Sequence, residues 1–248
     1  MKTLDIRYLH GSIDSTQDKP DLVIVIDILR ATSTIPVMLS RNVKKIIPVI
    51  EIKEVFNLKK IINKNSILCG ERDGKKIEGF DYGNSPLEFE NADIEGKTVI
   101  MSSTNGTPTT IKAAELSEDV VFGSFINFRK LIDFIKGISF HKLLLLTSGT
   151  QGEFSLEDSV FAGLIVKTLV NIFPDIKLSD SCFSSMIHYE FFQDDIRGMM
   201  NITKNGRILR SIHHDPDLDF CAELNTYSII PVLHREGDRI YISNKHHL

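Results

Sequence analysis

Short apolar segments that alternate with segments of helical periodicity limit the fold of this 248-residue chain more than any other feature. DLVIVIDIL (21–29) is a continuous run rich in Val and Ile, which is typical of a strand buried on both faces. Further strands are predicted at KKIIPVI, NSILCGE, KTVIMSST, DVVFGS and HKLLLLTSG, and several are followed by segments of helical spacing. The alternation predicts βαβ units, and hence an α/β fold with a largely parallel sheet covered by helices.

Two other parts of the chain bear on its organisation. ATSTIPVMLS predicts a helix with Pro36 in its first turn, and SIIPVLHREGDRIYIS predicts a β-hairpin around REGD. KLLLLTSG…LEDSVFAGLIV repeats the strand–loop–helix order of LVIVIDILRATSTIPVM. We therefore expect two α/β halves, residues 1–140 and 141–248, that share one active site.

Composition argues against several classes of protein. The net charge is −4 and the pI is about 6.1, so we expect no nucleic-acid partner. Three cysteines without a CxxC spacing predict neither a disulfide framework nor a structural zinc site, and they fit a reducing cytoplasm. No run approaches the ~20 apolar residues that span a bilayer, so no membrane association is expected. A homodimer is the default expectation for assembly.

Polar and charged residues follow four of the predicted strands, where the ligands of parallel α/β sheets bind. They are Asp27, Arg30, Thr32, Ser33 and Thr34 after the first strand; Glu71, Arg72, Asp81, Asn84 and Ser85 after NSILCGE; SSTNGT (102–107) after KTVIM; and Ser148, Gly149, Glu153, Glu157 and Asp158 after LLLLTSG.

These residue types favour phosphate chemistry. RATST and SSTNGT offer hydroxyls and backbone N–H groups at helix starts, where oxyanions bind, and Gly106 lets a ligand approach the backbone closely. Arg30 and Arg72 could bind oxyanions through two N–H groups each. Carboxylates at strand ends are hard oxygen ligands of the kind that Mg²⁺ takes. Together they predict a magnesium-assisted enzyme acting on a phosphorylated, acidic small molecule.

Each feature also has a purely structural interpretation. Ser and Thr before a helix are often plain N-caps, and Asn-Gly often forms a turn. Glu71 and Arg72 could pair with each other at the surface. HHDPDLDFC (213–221) could be a solvated turn or a metal site, although Phe220 stands where an EF-hand loop needs Gly. Cys69 could be a nucleophile or a small buried residue.

Four segments resemble the signature segments of the 2-phosphosulfolactate phosphatase (ComB-like) family. They are VIDILRATST, GERDGKKIEGFDYGNSP, SSTNGT and DLDFCAELN…IIPVL, in the order of the family and over about residues 22–232. The family form of the third segment tends to be Thr-Thr-Asn-Gly-Thr, and here Ser102 and Ser103 stand in that region.

The resemblance implies a three-layer α/β/α fold, with a largely parallel or mixed sheet and two related halves. It implies a Mg²⁺-dependent phosphatase that hydrolyses (2R)-2-phospho-3-sulfolactate to 3-sulfolactate and phosphate, a step of coenzyme M biosynthesis in methanogens. The implied catalytic residues are Asp27, Glu71, Arg72 and Asp81, of which Asp27, Glu71 and Asp81 would bind the metal. The residues that the resemblance implies for binding the small phosphorylated sulfonate are Arg30, Thr32, Ser33, Thr34, Asn84, Ser85, Ser103, Thr104, Asn105, Gly106 and Thr107.

Three questions stay open at this point: the role of Asp27, the identity of the substrate, and whether the chain is an enzyme. Asp27 could be a metal ligand, a nucleophile or the base that activates water. The substrate could be another small phospho-hydroxy acid. The chain could also be a non-catalytic module that binds a phosphorylated metabolite.

Overall fold

A computed structural model describes residues 1–12, 19–62 and 65–245. The described strands are β1 (Thr3–Arg7), β2 (Leu22–Ile26), β3 (Lys45–Pro48), β4 (Ser66–Arg72), β5 (Lys75–Lys76), β6 (Thr98–Ser102), β7 (Asp119–Gly123), β8 (Lys142–Thr147), β9 (Lys177–Leu178), β10 (Pro231–Glu236) and β11 (Arg239–Asn244). The described α-helices are α1 (Ala31–Ser40), α2 (Ile52–Ile62), α3 (Gly106–Leu116), α4 (Phe128–Lys136), α5 (Leu156–Ile172), α6 (Asp180–Phe192), α7 (Ile196–Ile202), α8 (Lys204–Ser211) and α9 (Asp215–Ala222).

The strands form one mixed sheet in the order β5-β4-β6-β3-β11-β10-β7-β2-β8-β1-β9. Strands β4, β6 and β3 pair in parallel, as do β7, β2, β8, β1 and β9. The β10–β11 hairpin lies between these two blocks and pairs antiparallel with both. The predicted α/β fold and C-terminal hairpin are confirmed.

Strand β2 shows why its sequence is apolar throughout. All five of its residues are buried. Ile24 packs into a core shared with α4, α5 and α6, whereas Val23 and Val25 pack on the opposite face with α1 and α3. Successive side chains of a strand point to opposite faces, so a strand covered by helices on both sides is apolar at every position. The result is the three-layer α/β/α arrangement.

Strand direction reverses between the two parallel blocks, because three antiparallel ladders separate β7 from β3. In a flat sheet the carboxyl ends of β2 and β6 would therefore lie at opposite edges. Five strand-to-strand steps separate them, and the usual twist of each step accumulates to roughly 100–125°. A twist of this size turns the two edges toward each other, and residues that follow β2 and β6 line one cavity together with Glu71 at the end of β4.

Several local predictions differ from the structure. The short strands β1, β5 and β9 were not predicted. Strands β5 and β9 have two residues each and β1 is only half-buried, so none of the three has a clear apolar pattern. Helix α1 begins at Ala31 and contains Pro36 in its second turn, so Pro36 donates no N–H to the carbonyl of Thr32. HHDPDLDFC is largely helical, as α9, and it is partly buried rather than a solvated turn.

The division at residue 140 stays a prediction. The sheet mixes the two proposed halves, since β8 lies between β2 and β1 and pairs in parallel with both. Within residues 1–12, 19–62 and 65–245, no helix has the length and apolar character needed to cross a membrane.

Candidate active site

A small cavity of about 20 Å³ lies where the segments following β2, β4 and β6 meet helix α8. Its lining residues are Asp27, Leu29, Arg30, Glu71, Gly74, Asn84, Asn105, Asn205 and Leu209. A larger groove of about 710 Å³ lies between α2, α3 and the β10–β11 hairpin. We assign the site to the smaller cavity, because buried ionisable groups gathered in one place mark functional sites better than volume does.

Asp27 follows β2 directly and is buried. Its Oδ1 accepts a hydrogen bond from the Ala31 N–H at 3.2 Å, at the first turn of α1. The pKa of Asp27 is raised to about 7, chiefly by burial and also by the nearby charges of Glu71 and Glu157, which together outweigh the lowering effects of the Ala31 N–H and of Arg30. A carboxyl group with this pKa exchanges its proton near neutral pH.

Glu71 lies at the end of β4, which turns back into β5 through Asp73 and Gly74. Both turn residues have positive φ, 52° and 78°, as a two-residue type I′ hairpin turn requires, so this part of the predicted loop is a hairpin. Glu71 Oε2 accepts the Gly74 N–H at 2.8 Å, and Oε1 accepts the Thr104 N–H at 2.7 Å. Glu71 thereby joins the hairpin to the β6–α3 turn.

Two further carboxylates lie behind Asp27, at the start of α5. Glu157 and Asp158 are both almost fully buried, and burial raises the pKa of each. Asp158 Oδ1 accepts the Ile28 N–H at 2.9 Å, whereas buried Glu157 Oε1 has no hydrogen-bond partner among the described residues. Glu157 and Asp158 follow the predicted strand LLLLTSG in the sequence, but neither was predicted to be a site residue. A carboxylate pair at the start of a helix that follows a buried strand was the available signal.

Arg30 is the only cationic side chain that lines the cavity in the described part of the chain. Its Nη1 forms a buried ion pair with Asp217 of α9 and lies 3.2 Å from His214 Nδ1, while its Nη2 donates to the Gly74 carbonyl at 2.8 Å. Asp217 also accepts the Ser85 hydroxyl at 2.6 Å. Asp217 was not predicted as a site residue, because its partner lies 187 positions away in the chain.

The predicted hydroxyl groups mostly bond to their own loops. Thr32 Oγ1 accepts the Asp27 N–H at 3.0 Å. Ser103 and Thr107 cap one another, since each hydroxyl oxygen accepts the backbone N–H of the other residue. The hydroxyls of Ser33 and Thr34 donate to backbone carbonyls. These hydroxyls are therefore bonded within the protein, although neither of the described helices α1 and α3 has a side-chain hydrogen bond from its N-cap residue.

Two side-chain oxygens near the cavity behave differently. Buried Asn84 Oδ1 and Thr104 Oγ1 have no hydrogen-bond partner among the residues that the structure describes. Asn84 lines the cavity beside Asp27 and Glu71. Asn105, also in the lining, accepts the Gln151 N–H at 3.0 Å through Oδ1. A buried acceptor without a partner is costly, so it points to a missing ligand or water.

Two predicted site residues are not brought to Asp27. Asp81 is exposed, and its Oδ2 accepts the Leu68 N–H at 2.7 Å and lies 3.5 Å from Lys59 Nζ. Arg72 donates to the carbonyls of Glu71 and Ile50 and to the Ser102 hydroxyl. In residues 1–12, 19–62 and 65–245, no three His, Cys, Asp or Glu side chains form a group that could hold a metal, so the expected Asp27–Glu71–Asp81 set is not assembled.

Gly106, the first residue of α3, brings two loops into contact. A Cβ at this position would lie 2.6 Å from Ala31 Cβ, 2.7 Å from Asp27 Oδ2 and 3.1 Å from Ser103 Oγ. Only a residue without a side chain allows this approach. The close approach of a ligand to Gly106 stays a prediction, because the atoms that lie close here belong to Ala31, Asp27 and Ser103.

Comparison with known proteins adds to the geometry. Residues 10–236 match the family model described as 2-phosphosulpholactate phosphatase. A protein of Carboxydothermus hydrogenoformans named "Probable 2-phosphosulfolactate phosphatase" is 36% identical over 97% of each chain. Proteins of the same name from Caldicellulosiruptor saccharolyticus and Thermotoga maritima are 38% and 35% identical, over 82% and 85% of this chain and 85% and 88% of their own.

Proposed function

The chain belongs to the 2-phosphosulpholactate phosphatase family of phosphoric monoester hydrolases, and we propose that it hydrolyses (2R)-2-phospho-3-sulfolactate to 3-sulfolactate and phosphate with Mg²⁺ as cofactor. The resemblance of the four signature segments, the family match and the buried acidic cavity support this proposal. The coenzyme M pathway belongs to the same proposal.

One observation carries the metal part of the proposal: in the described part of the chain, the one cationic side chain that lines the cavity is already paired with a carboxylate outside the lining. Asp27, Glu71, Glu157 and Asp158 are all buried, and the charge of Arg30 is already paired with Asp217. Like charges held together out of water are costly, and an anionic substrate would add to that cost unless a cation lies between them.

The donor atoms fit Mg²⁺. This ion binds oxygen ligands and usually takes only one or two carboxylates, with waters and substrate phosphate completing its shell. Asp27, Glu71 and Asn84 line the cavity together and are the residues that would hold it; Asn84 Oδ1 has no hydrogen-bond partner within residues 1–12, 19–62 and 65–245. Both Glu71 oxygens accept one N–H each, and a carboxylate oxygen retains a second lone pair for a metal. When bound, Mg²⁺ would neutralise phosphate charge and favour attack at phosphorus.

The chain's own groups have definable tasks in this reaction. The Ala31 N–H holds one oxygen of Asp27, and the other lies beside Gly106. We propose that Asp27 binds the metal through this oxygen; attack by the same carboxylate on phosphorus is the alternative. A substrate made chiral at phosphorus with oxygen isotopes separates them, because one direct displacement by water inverts the configuration, whereas two successive displacements through an aspartyl-phosphate retain it.

Substrate entry needs a rearrangement. A cavity of about 20 Å³ has room for about one water molecule. We propose that the Asp73–Gly74 turn or helix α8, both of which border the cavity, moves when the substrate binds.

Phosphate release from 2-phosphosulfolactate, measured with Mg²⁺ and with excess EDTA beside phospholactate and phosphoglycerate, tests the function. We expect release that requires the metal and strongly prefers the sulfonate. Release from the other esters alone would change the substrate, and binding without release would make the chain a binding module. Loss of release in Asp27→Asn, with an unchanged circular dichroism spectrum, would support the assignment of the site.

Assembly and location are part of the proposal. We propose a homodimer, because two-fold assemblies are the commonest among soluble oligomers. We also propose a cytoplasmic location, since all three cysteines are buried and unpaired, as expected in a reducing compartment.

A further inference from the structure

Asp217 and Ser85 bear on the proposed reaction through Arg30. The Arg30 guanidinium is 3% exposed and lines the cavity. Two acceptor groups hold it, the Asp217 carboxylate and the Gly74 carbonyl, while His214 Nδ1 lies 3.2 Å from Arg30 Nη1 and 3.1 Å from Asp217 Oδ2. Because a guanidinium has five N–H groups in a fixed plane, acceptors on one side orient the remaining N–H groups.

Asp217 is held in turn from a second direction. Its other oxygen accepts the Ser85 hydroxyl at 2.6 Å, and Ser85 follows Asn84 of the cavity lining directly. Ser85 therefore contacts Asp217 rather than facing the cavity. The chain Ser85–Asp217–Arg30 is almost fully buried, with each member at most 3% exposed.

We propose, resting on the proposed function, that Asp217 and Ser85 are positioning residues that orient Arg30 to bind an oxyanion of the phosphorylated substrate. Asp217 acts only through Arg30 and does not touch the substrate. The Gly74 carbonyl holds the other arm of the guanidinium, so the hairpin turn also sets this orientation. The buried Arg30–Asp217 pair has no net charge. It therefore sets the orientation in which the oxyanion binds, and a metal cation is still needed to neutralise the charge of the substrate.

The variants Asp217→Asn and Ser85→Ala test the proposal. Each removes one contact from the Ser85–Asp217–Arg30 chain. Asp219→Asn is the matched control, because Asp219 lies on the same helix and pairs with Arg197 at the surface. We expect the Kd for 3-sulfolactate or for inorganic phosphate to rise about 10- to 100-fold in Asp217→Asn and about 2- to 10-fold in Ser85→Ala. The KM should rise with kcat little changed. Asp219→Asn should match the wild type.

A double variant separates positioning from a structural role. In an Arg30→Gln background, Asp217→Asn should cause no further loss of affinity, and it should restore thermal stability by removing the unpaired carboxylate. Equal losses in both backgrounds would overturn the proposal, as would unchanged affinity for both probes in Asp217→Asn and Ser85→Ala. If Asp217→Asn does not fold, Ser85→Ala and the double variant decide.

Failure of this inference is distinguishable from failure of the function. Wild-type turnover with unaltered affinities in the variants would overturn the positioning of Arg30 alone. Wild-type binding without turnover would overturn the enzyme, while the affinity ratios would still decide the role of Asp217.

A separate observation concerns helix α6. Phe183, Ile187 and Phe191 follow one another at four-residue intervals and are 50%, 64% and 79% exposed. The other face of α6 packs on α5 through buried Cys182 and Ser185. Exposed Phe154 lies edge-on to the ring of His188 in the same helix and extends the apolar face.

We infer that this α6 face binds a second copy of the same chain. Its three helical side chains are spaced symmetrically about Ile187, so a two-fold axis there places Phe183 of one copy beside Phe191 of the other. With 150–250 Å² for each aromatic side chain, the face exposes on the order of 400 Å² per copy, and two copies supply most of the apolar area of a small stable interface.

Sedimentation velocity over a range of concentrations tests this surface. We expect the wild type at twice the 28.0 kDa of one chain, and Ile187→Glu and Phe191→Glu as folded monomers. Ile61→Glu is the control, because Ile61 is equally exposed but lies on α2. A monomeric wild type, a larger assembly, or a dimer that survives both α6 substitutions would overturn the inference.

Discussion

Replacing Gly106 with Ala separates the local preference of a helix from the packing of the site. Ala is favoured over Gly in helices by about 1 kcal/mol, so helix propensity alone predicts a stabilised variant. In the structure the added Cβ would lie 2.6 Å from Ala31 Cβ and 2.7 Å from Asp27 Oδ2, and neither atom belongs to a long side chain that could swing aside. Overpacking of this kind costs about 1–3 kcal/mol.

We therefore expect Gly106→Ala to be destabilised by up to about 2 kcal/mol net, which lowers the Tm of a chain of this size by up to about 8 °C. Displacement of Asp27 should also reduce phosphate release at saturating Mg²⁺, by roughly 100-fold if the shift approaches 1 Å.

Thermal unfolding and a phosphate-release assay on the same preparations check both effects. Gly137→Ala is the control, because a Cβ there meets no atom closer than 3.5 Å and the residue has a helical backbone at the end of α4. If Gly106→Ala unfolds at or above the wild-type temperature and keeps full activity, then Asp27 and α3 do not depend on the close approach at Gly106.

Three other substitutions or treatments give distinct results. Asp27 keeps its proton to about pH 7 in the folded protein but only to about pH 4 when unfolded, so in EDTA the wild type should lose stability to urea as the pH rises between these values. Asp27→Asn should lose less stability over the same range, because Glu157 and Asp158, whose pKa values are also raised, then contribute without Asp27. Glu71→Gln should abolish most Mg²⁺-dependent turnover and lower stability by about 1–3 kcal/mol, because an amide replaces one of two accepting oxygens; near-normal turnover would contradict its assignment. Cys69, Cys182 and Cys221 should not react with a thiol reagent at pH 8 without denaturant, because burial raises the pKa of each thiol; rapid labelling of Cys69 would reopen its role as a nucleophile.

The fold could largely be predicted from the sequence, because the burial of a strand or helix face produces a periodic pattern of apolar residues that is visible along the chain. DLVIVIDIL is apolar at every position since β2 is covered on both faces, and the β10–β11 hairpin follows from two β-prone runs around a turn. The order of the strands was not accessible. Nothing local to β8 shows that it lies between β2 and β1, because that position depends on pairings with residues more than 100 positions away.

The residues of the candidate site could likewise be predicted only in part. Residues directly after β2 and β4 were predicted because the carboxyl ends of strands bind ligands, and Asp27, Arg30, Glu71 and Asn84 do line one cavity. Asp81 was expected among them, yet the chain folds back so that its carboxylate meets the Leu68 N–H instead.

By itself the sequence determined the α/β class, the family and the segments that supply the site, since these depend on residue types and short-range spacing. Only the tertiary structure decided that Asp217 pairs with Arg30 and that Glu157 and Asp158 lie behind Asp27. It also decided that the hydroxyl oxygens of Ser103 and Thr107 accept each other's backbone N–H groups. Such contacts follow from sheet twist and from packing between distant segments, and a carboxylate carries no local mark of the partner that it will meet.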